Sequence, residues 1–249
     1  MTAVGLKSEF RRGHTPDFAY SGTELDALRE GINYYRWLIR RMTPWVGKNV
    51  VEVGAGIGTF AKCLLAIEGV ESLVALEPGK NTFPALRQAL ESDKRAQPIQ
   101  AYVNQMPPID ADTIVAVNVM EHVEDDLAFL RDAHRISSAG GTLLLYVPAL
   151  PAIYGTLDSA LDHYRRYTRK SLRSVIESAG WHVREISYAN LPGVLAWYVA
   201  GRIMKKTSLS TGEVGLYDRW AVPLISRVES LWSPPIGQSL FAVASKTPR

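Results

Sequence analysis

Two carboxylates flank a glycine-rich stretch, Glu52-Val53-Gly54-Ala55-Gly56-Ile57-Gly58 followed later by Glu77. Glycines at this spacing let a backbone turn tightly and let a ligand approach with no Cβ in the way. They run directly into a helical pattern from Gly58 to Ile67, whose N-terminal amides attract negative charge. Glu77 ends a second β-like run, where a carboxylate can accept both hydroxyls of a ribose. Glu52 lies two residues before the first glycine; there it would repel a diphosphate and attract a ligand carrying an ammonium and a sulfonium. The spacing is G-x-G-x-G, with Thr59 replacing the last glycine of a dinucleotide fingerprint, so a nicotinamide oxidoreductase is disfavoured.

Two further stretches could act on a second molecule. In Asn118-Val119-Met120-Glu121-His122-Val123-Glu124-Asp125-Asp126, His122 is either a catalytic group or a side chain that holds its loop. The acids beside it fit a helix N-terminus, where they complement the helix dipole. With Ala128 and Phe129 where a further histidine would be needed, no metal is expected. In His163-Tyr164-Arg165-Arg166-Tyr167, two arginines beside two tyrosines could clamp a carboxylate or phosphate and flank a ring or sugar. Equally, Thr168 could cap a helix and leave the arginines solvated. His163 is a second candidate base.

The elements that must position these residues alternate. Strand-like runs at Asn49–Val53, Ser72–Leu76, Ile99–Val103, Asp112–Val117 and Gly141–Val147 are separated by helical segments at 58–67, 80–91 and 125–135. This rhythm predicts an α/β fold with an open, mostly parallel sheet covered by helices on both faces. Later, a helix at Ser171–Ala179 and strands at Trp181–Tyr188 and Ser239–Ser245 suggest an antiparallel pair at one edge. The apolar spacing from Thr23 to Met42 predicts a helix carrying Tyr34, Tyr35 and Trp37, stopped by Pro44. The expected organisation is one domain over residues 1–249, with a lid helix at about 23–43 and a helical insertion at about 190–235.

Composition bounds the rest. The chain has 249 residues, 47% apolar and 21% charged, which excludes wholesale disorder. Its net charge of +3 predicts no nucleic-acid partner, since polyanion binding needs a concentrated basic face. The single cysteine, Cys63, reads as a core thiol. With no secretory pattern near Lys7, Glu9, Arg11 and Arg12, and no apolar run long enough to span a bilayer, the expected location is the cytoplasm. Lys205 and Lys206 beside the apolar segment 191–204 raise a membrane-surface contact as an alternative to packing over a pocket, which is the expected role.

The motifs VVEVGAGIG (Val50 to Gly58), LEP (Leu76 to Pro78), NVMEHVEDD (Asn118 to Asp126) and GGTLLLYVP (Gly140 to Pro148) together resemble the class I S-adenosylmethionine-dependent methyltransferases over roughly Tyr34 to Lys246. The resemblance implies a Rossmann-like, doubly wound seven-stranded sheet whose last strand is antiparallel. It implies S-adenosyl-L-methionine as cofactor and S-adenosyl-L-homocysteine as product. By motif, Gly54, Ala55, Gly56 and Gly58 would pass beneath the methionine portion, Glu52 would stand near its amino group, and Glu77 with Pro78 would hold the ribose. Tyr102 and Val103, where the family usually carries an aspartate, would face the adenine, with a backbone group or Asn104 as the polar contact. Asn118 would border the transferring methyl and Tyr34 the lid side. In some related ubiquinone-pathway O-methyltransferases, acids near Glu121 bind magnesium. The segment from Asp158 resembles a GHxRRYT-like signature of bacterial small-molecule and glycoconjugate methyltransferases, with Asp162 in place of its glycine.

Methylation of an oxygen or carbon on a small molecule, a secondary metabolite, sugar or lipid-linked intermediate, is therefore the leading expectation. The expected partner is such an acceptor, anionic or glycosylated, and not nucleic acid. Its rivals are a nucleic-acid or protein methyltransferase, disfavoured by Asn118-Val119-Met120-Glu121 where base methylators carry N/D-P-P-Y/F, and a scaffold that binds the cofactor without catalysis.

Overall fold

The computed structural model describes residues 17–20 and 31–247. Seven strands form one sheet: β1 (Asn49–Val53), β2 (Ser72–Leu76), β3 (Ala96–Ile99), β4 (Ala111–Val117), β5 (Ser137–Pro148), β6 (His182–Ala189) and β7 (Ser239–Ser245). Their order is β3-β2-β1-β4-β5-β7-β6. All neighbours pair parallel except β7, which runs antiparallel to both β5 and β6. β1 reads Asn-Val-Val-Glu-Val with only its first residue exposed. Such continuous apolar runs are what a strand needs when both faces are covered. Two apolar clusters lie on the two faces: Val51, Val53, Ile114 and Leu145 point into one, Val50, Val115, Leu144 and Phe241 into the other.

Eight helices are described: α1 (Ile32–Met42), α2 (Thr59–Leu65), α3 (Phe83–Leu90), α4 (Asp126–Ile136), α5 (Thr156–Ala160), α6 (Arg169–Ser178), α7 (Leu191–Tyr198) and α8 (Thr211–Leu231). α1 falls within the lid helix expected at about 23–43; residues 23–30 of that expectation lie outside the described residues. α7 runs into a π-helical turn, Val199–Ile203. No helix among the described residues is long and apolar enough to cross a membrane.

One strand falls elsewhere than its composition suggested. The third strand was expected at Ile99–Val103 but ends at Ile99. Its neighbour β2 turns away after Leu76, and the amide of Glu77 takes the Ile99 carbonyl as the last rung. Beyond it, Val103–Gln105 forms a single 3-10 turn. Pro98 is tolerated because β3 is an edge strand, with one side of the ladder unpaired.

Candidate active site

The loop joining β1 to α2 turns on glycines in the left-handed region, with φ of 73° at Gly54, 55° at Gly56 and 88° at Gly58. L side chains avoid that region. At Gly54 a Cβ would also sit 2.5 Å from Cγ2 of Val119, so the close packing of the Val119 side chain on this turn requires its absence. The amides of Gly54 and Ala55 donate to the Leu76 carbonyl, each at 2.9 Å. The Gly56 amide donates to Oε2 of Glu77 at 2.7 Å, while Oε1 accepts from the Gly79 amide at 2.8 Å and the Thr82 hydroxyl at 2.9 Å. Burial pushes the Glu77 carboxyl up, against the pull of these three hydrogen bonds.

Glu52 is 3% exposed, and its Oε2 has no hydrogen-bond partner. Burial, and then the charge of Glu77, push its pKa up to about 8. A buried carboxylate oxygen without a donor is costly until something supplies positive charge and N–H groups. The amino group of S-adenosylmethionine offers both, so the residues present fit this cofactor.

A cavity of about 830 Å³ runs from this loop across the ends of β1 and β4. That volume is near the upper end of pockets that enclose a small ligand, and it leaves room beyond a cofactor. Glu52, Gly54, Ala55, Gly56, Glu77, Pro78, Tyr102, Val103, Asn118 and Tyr34 all line it. Gly58 does not: it precedes α2, where a Cβ would press on Leu86 and Ala89 at 3.1 Å, so its role is packing. Asn118 follows β4 with φ of 52° and donates from Nδ2 to the Tyr34 hydroxyl at 3.4 Å. Phe18 also lines the cavity, its ring 6.4 Å from that of Tyr102. Both rings are more than a third exposed, so two aromatic faces frame one end of the cavity. Phe18 was missed because its segment has no periodicity; it is held by a bridge to Gly79 and by the Lys80 amide at 2.7 Å.

At the other end a polar corner forms among apolar walls. Asp158 on α5 is fully buried and is the hub. Its Oδ1 accepts from Nε of Arg166 at 2.6 Å and lies 3.0 Å from Nδ1 of His163. Its Oδ2 accepts from Nε1 of Trp197 at 2.9 Å and from the Gly155 amide at 3.0 Å. Burial alone would raise the Asp158 pKa, but these donors and the Arg166 charge hold it below the usual carboxylate range. The rings of His163 and His122 meet edge to face at 4.7 Å. Burial, then His163, push His122 down to about 4, which leaves it neutral at physiological pH. Glu121 is 1% exposed with Oε2 unpartnered; burial, partly offset by His163 and Arg166, pushes it up to about 7. Nη2 of Arg166 is also buried without a partner. Glu121, His122, His163 and Arg166 all face the cavity, with Leu157, Leu161 and Trp197 beside them.

The His163–Tyr167 stretch divides. His163 and Arg166 reach the cavity, whereas Tyr164, Arg165 and Tyr167 do not line it. Arg165 pairs with Asp126 at 3.0 Å and donates to the Glu124 carbonyl at 2.6 Å. The Tyr167 hydroxyl donates to Asp126 at 3.0 Å, and its ring is buried in the core. Tyr164 is 55% exposed; its amide donates to the Glu121 carbonyl, and its ring lies 5.8 Å from the Arg165 guanidinium carbon. Arg165 and Tyr167 fasten the loop to the start of α4 and Tyr164 to the turn before it, so these three do not form the expected clamp at this cavity, while Thr168 caps α6 by accepting from the Ser171 amide at 3.0 Å.

The cavity is covered by α7, α8 and the π turn between them, through Gly193, Ala196, Ala200, Tyr217 and Val222. The cover is tied to α1. Gly31 precedes α1 and has no side chain to cap it. Asp218 of α8 does so instead, accepting from the Tyr34 amide at 2.8 Å and the Asn33 amide at 3.1 Å. Glu229, farther along α8, pairs with Arg41 and accepts the amides of Asn190 and Leu191.

Residues 28–186 match a family described as a methyltransferase domain. A tRNA U34 carboxymethyltransferase of Haemophilus influenzae (strain PittGG) is 26% identical over 138 residues, which is 53% of this chain and 43% of that protein. The chain thus spans less than half the length of this curated relative. Among solved structures, a chain from the complex between the Haloferax volcanii Trm112 methyltransferase activator and a methyltransferase superposes with a TM-score of 0.63 at 16% identity, covering 93% of this chain and 99% of that one. An S-adenosylmethionine-dependent methyltransferase from Mesorhizobium loti gives 0.57 at 16% identity, covering 84% and 96%. These findings correct the expectation of a free small-molecule acceptor with nucleic acid excluded: a relative is named for tRNA, and a neighbour of the same fold comes from a complex with an activator protein. The +3 net charge was an inadequate ground for that exclusion, because a whole-chain sum does not report where charge is concentrated. With the glycine loop, its two carboxylates and the β3-β2-β1-β4-β5-β7-β6 sheet in place, the chain belongs to the methyltransferase domain family and is a class I methyltransferase that uses S-adenosylmethionine.

Proposed function

We propose that the chain transfers the methyl group of S-adenosylmethionine, by in-line displacement, to an oxygen or carbon of a lipid-linked acceptor whose reacting group projects into the corner beside Asn118. The observation that carries this reading is the continuity of one cavity from Glu52 and Gly54, past Asn118, to Glu121, His122, His163 and Arg166. Bound cofactor supplies an electrophilic methyl on a sulfonium. The chain aligns acceptor and methyl and keeps water out, which the apolar walls around Leu157, Leu161 and Trp197 favour. An oxygen acceptor must also lose a proton. With the Nδ1 proton of His163 held by Asp158, Nε2 is the atom that accepts it. His122, neutral and in ring contact with His163, positions it. The Arg166 guanidinium, buried against Trp197, holds Asp158 in this corner.

The test is transfer of labelled methyl from the cofactor to fractionated glycolipid acceptors by wild type, His163→Ala and Asp158→Asn. Turnover is expected to fall by about 10²–10⁴-fold in both variants with cofactor affinity unchanged. Wild-type turnover in both would overturn the assignment. A second reading, methylation of a tRNA nucleoside, takes its support from the tRNA U34 carboxymethyltransferase relatives; label appearing in tRNA in place of lipid would establish it.

A further inference from the structure

The cover over the cavity has an outer face that packs against nothing described. Of sixteen large hydrophobic side chains exposed among the described residues, eleven lie between Leu195 and Ile236. Such concentration separates a patch from the scattered exposure normal on protein surfaces. Along α8, Leu216, Trp220, Leu224, Val228 and Leu231 recur every three or four residues and are 47–91% exposed. That spacing puts them on one side of the helix, opposite the buried Asp218, Val222 and Ile225. At the π turn, Ile203 and Met204 are exposed as well.

Within residues 191–236, the unpaired exposed charge has one sign. The carboxylates of residues 191–236 are Glu213, Asp218 and Glu229. Glu213 is neutralised by Lys206, Asp218 is buried against α1, and Glu229 pairs with Arg41. Arg202, Lys205, Arg219 and Arg227 remain at the surface.

We propose that this face docks on a lipid bilayer bearing anionic headgroups, with α8 lying in the interface, and that the methyl acceptor is carried on a lipid of that bilayer. An apolar helix face rimmed by arginine and lysine is the pattern of helices that rest on a charged membrane surface without crossing it. A second copy of the chain fits poorly, because a two-fold contact would set the four cations of one face against those of the other. RNA fits less well: on this side of α8 Trp220 alone offers a ring on which a base can stack, and Leu216, Leu224, Val228 and Leu231 around it offer none. The same helices send Ala196, Trp197 and Tyr217 inward to the cavity, so a docked cover places the reaction chamber next to the lipid. The lipid-borne acceptor rests on the methyl-transfer reading above; the docking itself does not.

The experiment is flotation of the full chain with vesicles of phosphatidylcholine alone and of phosphatidylcholine with phosphatidylglycerol, with calorimetric titration of S-adenosylmethionine on the same preparations. Wild type is expected to float with the anionic vesicles, at least tenfold more weakly with neutral ones, and less as salt rises. Leu216→Ser/Leu224→Ser and Arg219→Glu/Arg227→Glu are expected to lose tenfold or more of that binding while binding the cofactor normally, since none of these residues lines the cavity. Brominated acyl chains are expected to quench a component of tryptophan emission that is missing in Trp220→Phe. Failure of the wild type to float, floating that the substitutions leave unchanged, or a dimer or RNA complex that these substitutions abolish in place of floating would each overturn the docking. Floating without label transfer to any lipid would overturn the lipid-borne acceptor alone, and label transfer without floating would remove the docking while leaving the proposed reaction standing.

Discussion

Glu52 supports a quantitative test of how the cofactor end is built. Its pKa is about 8 in the folded protein against an ordinary 4.5. Between these values the folded chain holds a proton that the unfolded chain has released, so stability falls as pH rises, by about 1.4 kcal/mol per unit. The contribution is fully present below pH 4.5, and nearly all of it is gone above pH 8. From pH 5 to pH 8 the loss from this one group comes to roughly 3 kcal/mol. Glu52→Gln removes the ionisation and keeps the shape. The amide brings its own burial cost, but that cost is the same at both pH values and drops out of the comparison. In the cofactor-free protein, the melting temperature of the variant relative to wild type is therefore expected to rise by roughly 6–12 °C on going from pH 5 to pH 8, at about 2–4 °C per kcal/mol for a chain of this size. Thermal unfolding at half-unit pH intervals reads it. Cofactor affinity should move oppositely, about tenfold or more weaker in the variant at pH 8, where wild type presents a carboxylate to the ligand ammonium. Parallel melting curves for the two proteins across this range would refute the reasoning, because they would mean that Glu52 is solvated or already partnered.

Three other outcomes follow from particular contacts. Asp218→Ala removes the only side chain that caps α1 among the described residues; it should cost about 1–2 kcal/mol in urea unfolding and weaken cofactor binding through displacement of Tyr34. Replacing Phe18 and Tyr102 together by alanine should raise the cofactor dissociation constant roughly tenfold or more with little change in melting temperature, as expected if the two exposed rings grip an aromatic base. Tyr167→Phe leaves one oxygen of Asp126 without its phenol donor and should cost about 1 kcal/mol of stability, with no change in acceptor KM once an acceptor is in hand.

How much was legible depended on how local the determining contacts are. β2 and β7 fall where their uninterrupted apolar runs placed them, since a strand buried on both faces leaves that mark in the residues themselves. The glycine loop was legible for the same reason: three left-handed turns within five residues leave little choice of side chain. β3 was misplaced by a few residues because its end is set by where β2 stops pairing, which no property of Ile99–Val103 records. The acceptor corner was harder still. His163 was a candidate by type, but its partner Asp158 is shared with Trp197, which is remote in sequence and reaches it only through the packing of α7. In Tyr164-Arg165-Arg166-Tyr167 the residue types fit a substrate clamp, yet Asp126 takes two of the four. A motif read without its neighbours overstates how many of its side chains are free.

The clasp between Asp218 and the first turn of α1 makes the roof over the cofactor and the cover over the chamber parts of one mechanical unit. A motion of α8 wide enough to admit an acceptor pulls on the Tyr34 amide, and a cofactor that steadies Tyr34 resists the same motion. Occupancy at the two ends of the cavity is then thermodynamically linked. Whatever factor the cofactor contributes to acceptor affinity, the acceptor must return to cofactor affinity in equal measure.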